Sequence, residues 1–216
     1  MEGIRGTSGF MIDAATLTRR IADYREILID IGTGDGRYVK HVARTSPACF
    51  AIGIDACREN VRRTSRTAPD NALYLIANAL ALPHELHRLA ARITINFPWG
   101  SLLEGLLAGD AALLGGISAI ARPGAALEVR LNGGALDEAG WSLEAGCEQV
   151  RRMLRDSGFV VVPPQPLDVQ ALRACPTTWA QRLAFGRDPR ALYLRARLAQ
   201  LQIADCRLQI AHSEHS

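Results

Sequence analysis

Short apolar runs alternate with amphipathic segments along the first 132 positions of the chain. Continuous apolar runs of this length are typical of strands that are buried on both faces of a sheet. Strands that alternate with helical patterns at this spacing predict a parallel, doubly wound α/β sheet with right-handed crossovers. The five runs that predict its strands are EILIDIG, CFAIGIDA (49–56), ALYLIAN (72–78), ITINFPW and AALEVRLN (125–132).

The segments between these runs have the apolar spacing of helices. We expect helices in GRYVKHVART, in CRENVRRTSRTA and in SLLEGLLAGDAALLGGISAIA, the last as one continuous helix that ends before Pro123. The segment LPHELHRLAARI is predicted as a helix or a turn. Beyond residue 132, a helix in SLEAGCEQVRRMLRDSG and strands in FVVVPP and ALYLRARL complete a seven-stranded, mostly parallel sheet.

The chain of 216 residues has the length of a single domain with insertions. Residues 1–15 contain Gly-Thr-Ser-Gly between apolar pieces and predict a β-hairpin, followed by a core over 16–132. A C-terminal part over 133–198 contains a long linker at about 164–189 before the last strand, and 199–216 form a tail. Connections as long as this linker are commonly functional or disordered.

Composition narrows the class of protein. Hydrophobic residues make up 48% and charged residues 22%, as in a globular protein. No apolar stretch has the length of a membrane span, and Met1–Arg20 lacks the features of a signal peptide. The five cysteines include no CxxC pair, so we expect free thiols, no metal site and a cytoplasmic location without a membrane partner.

Positive charge is concentrated in the C-terminal part. Residues 151–197 hold nine arginines and three acidic residues, whereas the net charge of the whole chain is only +3. Clustered arginine can bind phosphate groups. The alternative is a solvated face in a chain that uses arginine instead of lysine, because Lys40 is the only lysine.

The strongest motif is DIGTGDGR, which follows the first core strand. Its glycines are spaced GxGxG after Asp30 and not GxGxxG, the spacing of dinucleotide-binding turns. Glycines let a strand turn sharply into a helix and bring backbone close to a ligand, and a leading acid can accept hydrogen bonds from an ammonium group. This arrangement is used by enzymes that bind S-adenosylmethionine. The predicted contacts are Asp30, Gly32, Thr33 and Gly34.

Polar residues also end the next two strands. Asp55 ends the second strand, where a carboxylate can hold both hydroxyls of a ribose, and Asn78 with Ala79 ends the third, where an amide can contact adenine. Each residue alone is also compatible with a turn or a helix cap. Because the glycine turn, Asp55 and Asn78 occur in one register, the sequence predicts a nucleotide-type cofactor site and favours S-adenosylmethionine over NAD.

Aromatic residues occupy the expected methyl-acceptor side. Asn96-Phe97-Pro98-Trp99 ends the fourth strand and loosely resembles the Asn/Asp-Pro-Pro-aromatic loop of methyltransferases that act on amino groups of bases. Trp179 lies in the long linker. Two tryptophans on loops near one cleft would stack on both faces of a flipped base. The alternatives are a core anchor for Trp99 and a packed lid for Trp179.

Four blocks, DIGTGDGR, GIDACREN, FPWGSLLEG and WAQRLAFGR, together resemble the KamB/NpmA aminoglycoside-resistance methyltransferases. The resemblance implies a class I S-adenosylmethionine-dependent methyltransferase fold that methylates N1 of adenine 1408 in 16S rRNA. It implies a partner, helix 44 of the 30S subunit, and we expect the enzyme to be a monomer. It places Trp99, Trp179 and Pro98 at the catalytic site.

The resemblance also implies RNA-binding residues. Thr177 matches a small hydroxyl residue two positions before the second tryptophan, and arginines after it hold the flipped nucleotide and its phosphates. Further basic residues would dock the protein on the folded 30S surface, which is read by shape. The implied RNA-binding set is Thr177, Arg182, Arg187, Arg190, Arg62, Arg63 and Arg66.

Three features depart from the family pattern. Leu80 stands where the family usually has an acid, Asp188-Pro189 interrupt the basic residues after FGR, and arginine replaces lysine throughout. Two other functions therefore stay open. One is a small-molecule N- or O-methyltransferase with the arginine-rich segment as a lid, and the other is a degenerate ribosome-binding homologue with weak or no activity.

Overall fold

The computed structural model describes residues 1–186 and 188–199. Within them, ten strands join one sheet. The strands are β1 (Glu2–Arg5), β2 (Ser8–Met11), β3 (Glu26–Ile31), β4 (Cys49–Asp55), β5 (Ala72–Ile76), β6 (Ala90–Asn96), β7 (Ala121–Asn132), β8 (Phe159–Val161), β9 (Gln165–Pro166) and β10 (Ala191–Leu198). The α-helices are α1 (Ala14–Ile21), α2 (Arg37–Thr45), α3 (Arg58–Ser65), α4 (Gly100–Ala108), α5 (Ala111–Ile120), α6 (Gly133–Glu138), α7 (Leu143–Asp156), α8 (Val169–Ala174) and α9 (Thr178–Phe185).

The sheet has the order β2-β1-β5-β4-β3-β6-β7-β10-β8, and β9 pairs with β10. Strands β5, β4, β3, β6 and β7 are parallel, whereas β10 is antiparallel to β7 and β8. These seven strands form the predicted mostly parallel sheet. The predicted hairpin, β1 and β2, extends that sheet, because β1 pairs antiparallel with β5.

Two apolar cores cover the two faces of the sheet. Side chains of a strand point alternately to opposite faces, and along β3 Ile29 joins one core while Leu28 joins the other. Helices α1, α4, α5 and α7 pack on the first face. Helices α2 and α3 pack on the second face, through Val39 and Val61 among others. This layering places the parallel strands' carboxyl ends between the two helical layers.

The prediction of one continuous helix over 101–121 is wrong, because this segment forms two helices, α4 and α5. Gly109 adopts a left-handed conformation with φ of 70° and ends α4, and the Asp110 side chain accepts a hydrogen bond from Leu113 N–H and caps α5. Among the described helices, none is by itself long and apolar enough to cross a membrane. The α4–α5 pair meets that length and composition together, but it is bent by 93°.

Two further boundaries differ from the prediction. Strand β7 begins at Ala121 and not at Ala125, so Pro123 and Gly124 lie inside the strand, beside a register irregularity between Ala90 and Arg92 of β6. The long linker at about 164–189, for which no element was predicted, contains β9, α8 and α9. Trp179 consequently lies in the first turn of a helix and not on a loop.

Candidate active site

A cleft of about 470 Å³ opens at the carboxyl ends of β3, β4, β5 and β6. Ligand clefts at this edge of a parallel sheet are the rule in doubly wound folds. The cleft brings together the predicted cofactor residues and several residues predicted on the acceptor side. The former are Asp30, Gly32, Thr33, Gly34, Asp55, Asn78 and Ala79, and the latter are Pro98, Trp99, Thr177, Trp179 and Arg182.

The glycine turn brings backbone to the floor of the cleft. Gly34 has a φ of 57°, and a Cβ built there would meet no atom within 4 Å, so its backbone faces open space. A Cβ at Gly36 would lie 2.4 Å from the Tyr74 ring, and its φ is 72°. Only glycine fits position 36 without displacing Tyr74, because both the space and the backbone conformation exclude a side chain.

Asp55 fixes the second side of the cleft. One carboxylate oxygen accepts a hydrogen bond from Gly34 N–H at 2.8 Å, and the other accepts from Cys57 N–H and from the Asn60 amide. The carboxylate therefore joins the end of β4 to the glycine turn after β3. It is partly exposed toward the cleft, where acceptor capacity remains for hydroxyl donors.

Asp30 is buried below the turn, with 1% of its surface exposed. One oxygen accepts from the Thr33 hydroxyl at 2.6 Å, and the other from the Thr94 hydroxyl and the Asn96 amide at 2.6 and 2.8 Å. Burial raises the pKa of Asp30 from 3.8 to about 6, although these three hydrogen bonds favour the charged form. Asp30 therefore organises the turn and Asn96 from below.

Asn96 has both ends of its side chain fixed. Its amide nitrogen donates to Asp30, and its oxygen accepts from Arg130 Nη1 at 2.6 Å. The Arg130 guanidinium lies 4.8 Å from the Tyr193 ring centroid and 5.8 Å from that of Tyr38. Arg130 was not predicted as a site residue. Thr94 was not predicted either, because its only signal in the sequence is a polar residue inside the apolar run of β6.

A short 3₁₀ turn, Ala79–Ala81, lies at the third side of the cleft, and Asn78 precedes it. The Asn78 side-chain oxygen accepts from Leu80 N–H at 2.9 Å and caps this turn. Leu80 lines the cleft and is 37% exposed. An apolar side chain therefore stands at the position where the family pattern has an acid.

Trp99 and Trp179 stack on each other at the rim of the cleft. Their ring centroids are 5.4 Å apart and their planes differ by 13°. They are 41% and 40% exposed, which is unusual for such large rings. Arg182, one turn after Trp179, places its guanidinium 5.3 Å from the Trp179 ring centroid. The structure thus joins two aromatic residues that lie eighty positions apart in the sequence.

Phe97 links the Trp99 segment to the helix that carries Trp179. It has a positive φ of 53°, an uncommon conformation for a bulky residue. Its side chain is 3% exposed and belongs to a small separate core with residues of α8 and α9 and the start of β10. Pro98 is also buried. No role was predicted for Phe97, and nothing in the sequence signals its backbone conformation. Its partners in this core are Leu172, Ala180, Leu183, Ala184 and Ala191.

A second link joins α9 to the glycine turn. Thr177 is the N-cap of α9, and its hydroxyl accepts from Ala180 N–H at 2.9 Å. The Thr178 hydroxyl donates to the Asp35 carboxylate and accepts a long hydrogen bond from Arg37 Nη1 at 3.4 Å. The first turn of α9 is therefore held against the cofactor side of the cleft.

The remaining arginines of the predicted RNA-binding set lie in different environments. Arg63 and Arg66 line a groove beside α3, whereas Arg62 pairs with Glu59 on the same helix. Arg190 is bound by two carboxylates, those of Asp137 and Asp188, and does not line the cleft. Arg187 lies outside the described residues. Within the described ranges, no cluster of three His, Cys, Asp or Glu residues could hold a metal ion.

Comparison with known proteins assigns the family. The model of the family described as NpmA, 16S rRNA (adenine(1408)-N(1))-methyltransferase, matches residues 2–198. An Escherichia coli protein of that name is 32% identical over 202 residues, covering 85% of this chain and 92% of its own. A Streptoalloteichus hindustanus protein of the same name is 34% identical over 188 residues, covering 77% and 84%.

Solved structures agree with this assignment. The 16S rRNA methyltransferase KamB superposes with a TM-score of 0.84 at 27% identity, covering 92% of this chain and 100% of its own. A variant of the adenine-1408 methyltransferase from Catenulisporales acidiphilia, solved with S-adenosylmethionine, superposes at 0.82 and 25% identity, covering 94% and 98%. The predicted class I methyltransferase fold is confirmed, and S-adenosylmethionine is the methyl donor of these enzymes. The chain belongs to the 16S rRNA (adenine(1408)-N(1))-methyltransferase family.

Proposed function

We propose that this protein transfers a methyl group from S-adenosylmethionine to N1 of adenine 1408 in 16S rRNA within the 30S subunit, and so confers aminoglycoside resistance. The observation that carries the proposal is the stacked pair of Trp99 and Trp179 beside a cleft built for a nucleotide-type cofactor. We place this reaction in the cytoplasm and assign it to a monomer.

The residues of the cleft fit S-adenosylmethionine. The open backbone at Gly34 and the turn from Gly32 would lie along the methionine end, and Asp55 would accept hydrogen bonds from the ribose hydroxyls. Asn78 and Ala79 would border the adenine. Thr33 would be held in place by Asp30, whose one remaining acceptor site is available to an ammonium group. When bound, the cofactor supplies an electrophilic methyl group on a sulfonium.

Trp99 and Trp179 would hold the target base between them. A base needs about 3.5 Å to each ring plane, or about 7 Å between the two planes. The rings are 5.4 Å apart between centroids, so they must separate when a flipped base enters. Buried Pro98 and Phe97 fix the Trp99 segment, and α9 carries Trp179. Before the base binds, each ring shields one face of the other from water; the bound base would then cover those two faces.

The chemistry needs no general base in the protein. The N1 atom of neutral adenine has a free lone pair, so the attack on the methyl group requires no prior deprotonation. What the protein supplies is position and a stacked environment, since correct orientation lowers the barrier of a bimolecular transfer. The product base is cationic, and the faces of Trp99 and Trp179 stabilise a cation through their negative π surface.

The arginines and the 164–189 segment would bring the RNA to this site. Arg182 lies at the Trp179 ring and would hold the flipped nucleotide, together with Thr177 and Arg187. Arg63 and Arg66 line a groove and would contact the 30S surface near helix 44. Arg62 and Arg190 would also contact RNA, once they exchange their carboxylate partners for phosphates. Recognition of this kind reads RNA shape and phosphates.

Methylation of N1 adds a positive charge at the decoding site. Aminoglycosides are themselves cationic, so the modified adenine repels them and no longer offers N1 as a hydrogen-bond acceptor. Both effects weaken drug binding, because a like charge and a lost acceptor each act against the bound state.

Trp99→Ala and Trp179→Ala test the proposal, with Trp141→Ala as the matched control because Trp141 packs on the first core away from the cleft. The assay is transfer of labelled methyl groups to 30S subunits. Each stacking contact contributes about 1–3 kcal/mol, so each of the first two variants should lose about 10- to 100-fold in kcat/KM. Cofactor affinity, measured by calorimetry, should stay within about twofold of wild type.

Three outcomes would contradict the proposal. Full turnover by either tryptophan variant would remove the base-stacking role. Label that appears on a small metabolite and not on 30S would indicate a small-molecule methyltransferase. A wild-type protein that binds no S-adenosylmethionine would indicate a ribosome-binding homologue without activity, in line with the apolar Leu80 in the cleft.

A further inference from the structure

Helix α2 presents a row of basic side chains to solvent. Arg37, Lys40, His41 and Arg44 recur at helical spacing and lie on the outer face. The intervening residues Tyr38, Val39, Val42 and Ala43 are buried against the sheet. The row is therefore a consequence of the amphipathic pattern, and it contains the only lysine of the chain. We refer to Arg37, Lys40, His41 and Arg44 as the α2 row.

The α2 row lines two adjoining surface grooves. In one groove it meets Pro176, Thr177 and Gln181 at the beginning of α9. In the other, Arg37 and Lys40 meet Arg63 and Arg66 of α3. The row is thus continuous with the helix that carries Trp179 on one side and with the basic face of α3 on the other.

The positive charge of these grooves is not neutralised. Among the described residues, none of the α2 row, Arg63 or Arg66 forms a salt bridge. In the part of the chain that the structure describes, Asp35 is the one acidic residue that lines either groove, and Thr178 donates to it. The pKa of Lys40 is lowered, first by burial and then by repulsion from Arg44 and Arg37. Repulsion among neighbouring cations is relieved when an anion binds.

The shape of this surface fits an extended anion. From Arg37 to Arg44 the helix rises by about 10 Å, and Arg63 and Arg66 widen the basic surface across the second groove. That span matches about two or three successive phosphates of a nucleic-acid strand, whose phosphates are spaced a few ångströms apart along the axis. A single small anion would leave most of these cations without a partner.

We propose that the α2 row binds the phosphodiester backbone of the RNA strand next to the target nucleotide. This inference rests on the proposed function, and it adds α2 to the arginines already assigned to RNA. The path leads from the stacked tryptophans, over the first turn of α9, to the outer face of α2 and on to Arg63 and Arg66. The contacts are to phosphates, so they position the RNA and do not read its sequence.

The test removes two charges at the far end of the row. The double variant Lys40→Gln/Arg44→Gln replaces both charges by uncharged polar groups and leaves Arg37, with its bond to Thr178, in place. Arg155→Gln is the matched control, because Arg155 is an exposed arginine on α7 at the opposite face of the sheet. Lys40→Arg/Arg44→Lys restores both charges. Thermal unfolding and cofactor affinity serve as checks on folding.

Binding to purified 30S subunits is measured at several KCl concentrations, together with single-turnover methylation. The double variant should bind about 10-fold more weakly at moderate salt, and the slope of log Kd against log salt should fall by about 2, one for each phosphate contact. The control and the charge-restoring variant should match wild type.

The outcomes separate the two proposals. If wild type methylates 30S and the double variant has the same Kd, the same salt slope and the same methylation rate, the α2 inference is overturned and the proposed function stands. If wild type binds 30S but transfers no methyl group, and the double variant binds more weakly with the lower salt slope, the proposed function fails and the α2 contact stands. A wild type that binds no 30S overturns both.

Discussion

The alignment of Trp99 and Trp179 depends on Phe97, which lies two positions before Trp99 and packs against the helix that carries Trp179. Phe97 precedes Pro98-Trp99 and packs against α8 and α9, so it joins the segment of Trp99 to the helix of Trp179. Phe97→Ala removes this ring and leaves a small core without its largest member. We expect the two tryptophans to lose their common orientation, although neither is changed.

The size of the effect has two parts. Replacing a core Phe by Ala costs about 3–5 kcal/mol, and the small size of this core places Phe97, which is 3% exposed, near the lower end. Phe159 is also 3% exposed, but it lies at the β8 edge of the sheet, in the first core. Phe159→Ala should therefore cost a similar amount of stability. Only Phe97→Ala should also weaken base stacking, by about 10-fold or more in kcat/KM.

Urea unfolding gives the stability of both variants, and methyl transfer to 30S is measured under conditions where both are folded. The account predicts equal destabilisation and unequal turnover. Phe97→Gly adds a check on the backbone, because glycine adopts a positive φ without strain and should be at least as stable as Phe97→Ala. Wild-type turnover by Phe97→Ala, or an equal loss in Phe159→Ala, would refute the reasoning.

Two other predictions concern the cofactor side. Leu80→Glu places a carboxylate at the cleft, where the family pattern has an acid, and should tighten binding of the cationic cofactor several-fold, as measured by calorimetry. Leu80→Gln adds no charge and should not tighten it. Equal affinities of the two variants would exclude a charge effect. Asp30 has a folded pKa of about 6, above its unfolded value of 3.8, so its contribution to stability is fully present below about pH 4 and is lost as the pH rises through 6. Between pH 4 and pH 7, the unfolding free energy of wild type should therefore fall by about 2 kcal/mol relative to Asp30→Asn, and parallel pH profiles in urea unfolding would contradict the burial of this carboxyl.

The parallel core was predictable because its strands carry a simple physical signal. The runs of β3 and β4 are almost entirely apolar and carry Asp30 and Asp55 at or near their carboxyl ends, a pattern typical of strands buried on both faces. The glycine spacing after Asp30 predicted the turn, and the polar residues at the strand ends predicted the edge of the sheet where the cleft lies. The break between α4 and α5 has a sequence signal, because Gly109 and Asp110 are a typical helix end and N-cap. The prediction did not use that signal, because the apolar residues on both sides continue the helical spacing.

The acceptor side was less predictable, because it depends on contacts between distant segments. The sequence placed Trp99 and Trp179 near one cleft, but their stacking follows from how α9 packs on Phe97, which no local pattern reveals. The hydrogen bonds of Asp30 with Thr94 and Asn96 likewise require the register of β3 against β6. The apolar spacing of α2 predicted its helix, whereas its basic outer face and the connection of that face to α9 became apparent only in the folded chain.

The most direct test of the central claim is the position of the modification. Purified 30S subunits are incubated with the protein and S-adenosylmethionine, and the 16S rRNA is then reverse transcribed across the decoding site. A methyl group on N1 blocks base pairing, so the account predicts a stop at adenine 1408 that requires the cofactor and forms about 10- to 100-fold more slowly with Trp179→Ala. A methylated 30S subunit with no stop at adenine 1408, or a stop that forms at the wild-type rate with Trp179→Ala, would contradict it.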